Sequence, residues 1–97
     1  NGPVVLKCVY NFWKCGSESV TSRDVAGKLN ISITHASAWL CRLNTHGSIK
    51  IRQQPGKHGL KNNYSLTASG ARYLHRKGLL PRSEMEYAVE SLREKLL

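Results

Sequence analysis

The stretch Ser19–Leu66, SVTSRDVAGKLNISITHASAWLCRLNTHGSIKIRQQPGKHGLKNNYSL, changes its hydrophobic period along its length, and that change decides the fold. Val25, Ala26 and Leu29 recur at helical spacing behind Thr21, and Asp24 stands three residues after Thr21, a capping box with Asp in place of Glu. Asn30 follows where the chain must turn sharply, and asparagine tolerates the left-handed backbone a helix end requires. Ile31 is expected to plug the core and Ser32 to cap a second helix, from Ile33 to about His46, that stops at Gly47. In that helix Ala36, Leu40 and Leu43 share one face, bordered by Trp39. The opposite face carries Thr34, His35, Ser37, Ala38, Cys41, Arg42 and Thr45, residues small or polar enough to enter a groove. After Gly47 the period drops to two. Ile49 and Ile51 alternate with Lys50 and Arg52, and Tyr64 and Leu66 with Asn63 and Ser65, as half-buried strands do. Residues 54–62, with Pro55, Gly56, Gly59 and the basic Lys57, His58 and Lys61, are expected to form the connection between them.

The flanks read as helices. Pro3 suits a first helical turn, and Val5, Leu6, Val9, Phe12 and Trp13 continue at helical spacing, so a core helix is expected from about Val4 to Cys15, stopped by Gly16. Thr67 is expected to cap a helix over about Ala68–Lys77, with Ala71 and Leu74 inward and Gly78 as the stop. Ser83-Glu84-Met85-Glu86 has the spacing of a capping box and is expected to open a last helix reaching about Leu97.

At 97 residues the chain is expected to hold one domain with one modest core. Net charge is +9, and it is unevenly spread. Residues 1–82 hold 13 Lys or Arg against Glu18 and Asp24 alone, whereas residues 83–97 hold Arg93 and Lys95 against four glutamates. A basic body suits a polyanionic partner, and counterion release would make such binding steeply salt-dependent. No apolar run approaches the ~18–20 residues of a membrane span, so no membrane partner is expected. Val4–Leu6 is too short for the apolar centre of a signal peptide, and a start at Asn1-Gly2-Pro3 without methionine suits a fragment. Cys8, Cys15 and Cys41 form no C-x-x-C pair, which argues against a zinc ribbon or disulfide framework and for a reduced, intracellular setting, in cytoplasm, nucleoid or nucleus. With two carboxylates in the basic body and no nucleophile, phosphate-loop or metalloprotease motif, neither an enzyme nor a cofactor or metal is expected.

The segment Leu29-Asn30-Ile31-Ser32, followed by Ala36, Leu40, Leu43, Gly47 and Ile49, resembles the helix-turn-helix core of MarR-like and ArsR-like winged-helix regulators. Tyr64-Ser65-Leu66-Thr67-Ala68-Ser69-Gly70 resembles the strand-to-helix junction that follows the wing in that superfamily. The resemblance covers residues 19–78 and implies an α+β, mainly helical fold: a winged helix-turn-helix (residues 1–82) with a two-stranded β wing, and a C-terminal helix (residues 83–97). It further implies sequence-dependent binding of double-stranded DNA by a transcription regulator. Helix 33–46 would enter the major groove with Thr34, His35, Ser37, Ala38 and Arg42, and the wing residues Lys57, His58 and Lys61 would meet backbone or minor groove. Ser22, Arg23, Lys50 and Arg52 complete the expected DNA-binding set.

Met85, Val89, Leu92 and Leu96 fall at coiled-coil spacing and are expected to pair two copies as a homodimer, which would set two recognition helices about 34–36 Å apart. The expected reading face carries one arginine and an isoleucine, Ile33, whereas strong base readout uses Arg, Lys, Asn or Gln. Two alternatives therefore stand beside regulation: a protein-interaction module in a larger assembly, and a non-specific architectural nucleic-acid binder.

Overall fold

The computed structural model describes residues 2–56 and 59–94. It is α+β and mainly helical, with five helices and one two-stranded antiparallel sheet. Helix α1 spans Gly2–Lys14 and buries Val5, Leu6, Val9 and Tyr10. It ends at Gly16, whose φ of +103° lets the Gly16 and Ser17 amides donate back to the Trp13 and Phe12 carbonyls.

Helix α2 (Ser22–Leu29) opens on the capping box expected at Thr21. The Thr21 amide donates to Asp24 Oδ2 at 3.0 Å, and the Asp24 amide donates to Thr21 Oγ1 at 3.2 Å. Reciprocal capping of this kind contributes about 1 kcal/mol. Asn30 ends the helix at φ 57°, ψ 47°, the left-handed conformation expected of it, and the Ile31 amide returns to the Ala26 carbonyl. Ser32 then caps α3 (Ile33–Thr45) by accepting from the His35 amide at 3.1 Å. Ala36, Leu40 and Leu43 are buried as their spacing required, and Gly47 turns the chain at φ +79°.

Strands β1 (Ile49–Gly56) and β2 (Gly59–Leu66) pair in unbroken register from Ile49↔Leu66 to Gly56↔Gly59. The expected loop over residues 54–62 is therefore mostly strand: residues 54–56 and 59–62 pair, and Lys57 and His58 lie outside the described residues. Pro55 does not interrupt the pairing, because proline is tolerated in an edge strand at a position whose amide need not donate. Val20, placed in no element by the sequence, bridges Tyr64, with amide-to-carbonyl distances of 2.9 and 2.8 Å in the two directions.

Helix α4 (Ala68–Arg76) is locked to the turn before β1 through Thr67. Its hydroxyl lies 2.6 Å from the Gly47 carbonyl and 2.8 Å from the Ser48 carbonyl, and accepts from the Gly70 amide at 3.1 Å. Helix α5 spans Arg82–Glu94, so Ser83 lies inside the first turn and the expected Ser83–Glu86 capping box is absent. The Met85 amide donates to the Pro81 carbonyl, and Glu86 is drawn back to Arg82 Nε at 2.9 Å. Ala88 and Val89 join the single core, and Met85 and Leu92 pack against it. Of the expected dimer seam, Val89 is buried in the chain's own core, and Met85 and Leu92 are half-buried against it. Leu96 lies outside the described residues.

Candidate nucleic-acid interface

Two helices joined at Asn30 are held at their crossing by a hydroxyl pair. Ser37 Oγ donates to Ser22 Oγ at 2.7 Å, so two side chains expected to meet phosphate or base are half-buried against each other. Thr34, His35, Ala38, Cys41, Arg42 and Thr45 are exposed on the outward face of α3, and Ile33 at its start is 48% exposed. Arg23 is exposed on α2. No carboxylate occurs in α3, and Asp24 is engaged in capping α2.

One flank of α3 is internally ordered. Trp39 Nε1 donates to His35 Nε2 at 2.9 Å. The Arg42 guanidinium lies 5.0 Å from the Trp39 ring centroid. His35, Trp39 and Arg42 are therefore linked at i, i+4 and i+7, one link a hydrogen bond and the other a cation over a ring, with less rotational freedom than their exposure suggests. On the outward face Thr45 Oγ1 bonds its own helix at the Cys41 carbonyl, 3.0 Å away, a use that spacing alone does not predict.

The hairpin cations divide from α3. Lys50, Arg52 and Gln54 share a strand face with Ser65, Asn63 and Lys61, opposite Ile49 and Ile51. Asn63 Nδ2 donates to Gln54 Oε1 at 3.0 Å. Lys50 and Arg52 line a cleft of about 430 Å³ whose other wall includes Trp13, Glu18, Ser19 and Leu92. Lys50, Arg52 and Lys61 are exposed, but the first two look across at α1 and α5 rather than along the α3 face. Asn44, unremarked in the sequence, accepts the Ile51 amide at 3.2 Å and ties β1 to α3.

Cys8 is buried and Cys15 and Cys41 are exposed, all as free thiols. Burial pushes the Cys8 thiol above its ordinary range, partly offset by the Lys28 charge. Among the described residues no group of three or more His, Cys, Asp or Glu could hold a metal ion, and no helix is long and apolar enough to cross a membrane.

A second basic cluster escaped the sequence. Arg42 and Trp39 share a groove of about 640 Å³ with His46 and, from α4, Tyr73 and Arg76. Nothing local signals that encounter, since it depends on where the packing of α4 against α1 and α5 places it.

The chain is thus a helical α+β protein with a carboxylate-free outward helix face flanked by cations. Comparison with protein-family models, with curated proteins and with solved structures found no match to it.

Proposed function

We propose that the chain is a winged helix-turn-helix protein that binds duplex DNA as a transcription regulator, with α3 in the major groove and the β1–β2 hairpin as the wing. The observation that carries this reading is the tight left-handed turn at Asn30, which joins α2 to a carboxylate-free, solvent-facing α3 that the β1–β2 hairpin follows. Thr34, Ala38 and Arg42 are the candidate groove residues. Arg23 and Lys61 are the candidate phosphate contacts, since a point charge on an exposed stem suits that role. Ser22 and Ser37 support the reading as positioning residues that fix α3 rather than as contacts.

Homodimerisation stays within the proposal with its surface moved. Met85, Val89 and Leu92 serve their own core, whereas Tyr87, at 71% exposure, is the large apolar side chain that α5 offers to a second copy. The exposed Ile33, with Ala38 and Cys41 beside it, favours one second reading: an apolar α3 face that docks a protein partner.

The test is fluorescence anisotropy on a random 30-base-pair duplex across a salt series. Binding that falls steeply with salt supports the DNA reading. Absence of binding at low salt refutes it and leaves the protein-partner reading.

A further inference from the structure

The groove between the start of α1, the end of α3 and α4 has a chemistry of its own. Two half-buried aromatic rings, Trp39 and Tyr73, line it, and each carries a cation: Arg42 at 5.0 Å from the Trp39 centroid, Arg76 at 6.0 Å from that of Tyr73. Lys77 Nζ lies 5.6 Å from the same Tyr73 ring. His46 adds a third ring to the lining, and no Asp or Glu is among the lining residues. Its volume, about 640 Å³, falls within the range of small-ligand pockets.

These properties select a ligand class. An aliphatic cation would meet only positive charge, and a purely apolar ligand would leave two guanidinium groups desolvated without partners. A flat ring that carries an anionic group satisfies both halves. The guanidinium groups already lie over Trp39 and Tyr73, so a flat ring stacks on those arginine–aromatic layers, and the anion takes the guanidinium N–H groups, which match phosphate or carboxylate with paired hydrogen bonds. The arginines are already ordered over the rings, so less rotamer freedom is lost on binding. We propose that this groove binds a planar aromatic anion of mononucleotide size, its ring stacked on the arginine–aromatic layers at Trp39 and Tyr73 and its anion held by Arg42 and Arg76.

The site shares Arg42 with the proposed DNA face, so its test uses no DNA and is read at Arg76 and Tyr73, which lie outside that face. Isothermal titration calorimetry of the protein with adenosine monophosphate, with adenosine and with inorganic phosphate separates ring from charge. Saturable one-to-one binding of the monophosphate is expected, with adenosine and phosphate each at least about tenfold weaker, because each offers half of the recognition. Arg76→Gln and Tyr73→Leu, neither in the DNA-binding set, should each weaken the monophosphate about tenfold or more, with thermal melting unchanged for the exposed Arg76 site. No monophosphate binding at millimolar concentration, equal affinity for phosphate alone, or full affinity in Arg76→Gln would overturn the assignment.

Discussion

Gly70→Ala sets two well-known effects against each other, and the structure decides the sign. Alanine is the better helix former, worth about 0.8–1 kcal/mol over glycine inside a helix. At position 70 a Cβ would meet the Ser48 carbonyl oxygen at 2.1 Å and Leu66 Cδ1 at 3.0 Å, and real Cβ atoms essentially never come closer than 3.0 Å. Helix α4 would have to retreat by roughly 1 Å from a packed backbone. The contacts nearest that movement are the Thr67 hydroxyl at 2.6 and 2.8 Å from the Gly47 and Ser48 carbonyls and the Thr67 amide at 3.2 Å from Ser48. Those bonds are worth about 1 kcal/mol each, and Ala71 and Leu74, both fully buried, would lose packing as well. The loss, about 3–4 kcal/mol, exceeds the propensity gain and leaves a net destabilisation of about 2–3 kcal/mol. For a domain this size that lowers Tm by roughly 10–20 °C. Urea unfolding followed by far-ultraviolet circular dichroism reads it directly, and Gly27→Ala is the control. Gly27 sits in α2 with nothing within 4 Å of the place a methyl group would take, so there alanine should stabilise by about 0.5–1 kcal/mol. A Gly70→Ala protein as stable as its parent would refute the close approach of α4 to the Ser48 turn.

Lys61→Ala should weaken duplex binding for all sequences and reduce the slope of log K against log salt by about one, whereas Thr34→Ala should change preference among duplexes more than affinity; equal effects of the two on random DNA would count against the assigned roles. Val89→Asp should abolish the folded state, since Val89 is 8% exposed within the core, while Tyr87→Glu should leave folding intact and convert any dimer to monomer by light scattering. A folded Val89→Asp monomer would show that α5 is not part of the core. The ammonium of Lys14 hydrogen-bonds Glu84 and holds its carboxyl below the ordinary 4.5, and the same bond holds Lys14 above the ordinary 10.5. The pair's contribution is therefore present between those values, lost in acid as Glu84 protonates and lost in strong base as Lys14 deprotonates. Glu84→Gln should flatten the acid arm of a thermal-stability profile at low salt, and both profiles should converge in high salt, because the pair is exposed.

Much of this molecule is written in short-range signals. Thr21 with Asp24, the left-handed Asn30, Ser32 and Thr67 each mark a helix end through bonds to residues three or four positions away, so they are legible in one dimension. The switch of apolar spacing after Gly47 likewise set Ile49, Tyr64 and Leu66 inward. Local signals failed where two of them competed. The Ser83-to-Glu86 spacing lost to Pro81, whose carbonyl starts α5 earlier, and the turn residues around Pro55 and Gly56 lost to continuous cross-strand pairing.

By itself the sequence determined the order and type of the elements, the basic body and the outward face of α3, because periodicity, caps and charge act within a few residues. Only the tertiary structure decided that α5 covers its own core, that Ser22 and Ser37 hold each other, that Lys50 and Arg52 face α1 and α5, and that Arg42 and Arg76 line one aromatic groove. Those outcomes follow from which face of one helix meets another. Apolar spacing says that a face must be buried, but not against which neighbour, and that choice rests on the packing of the whole chain.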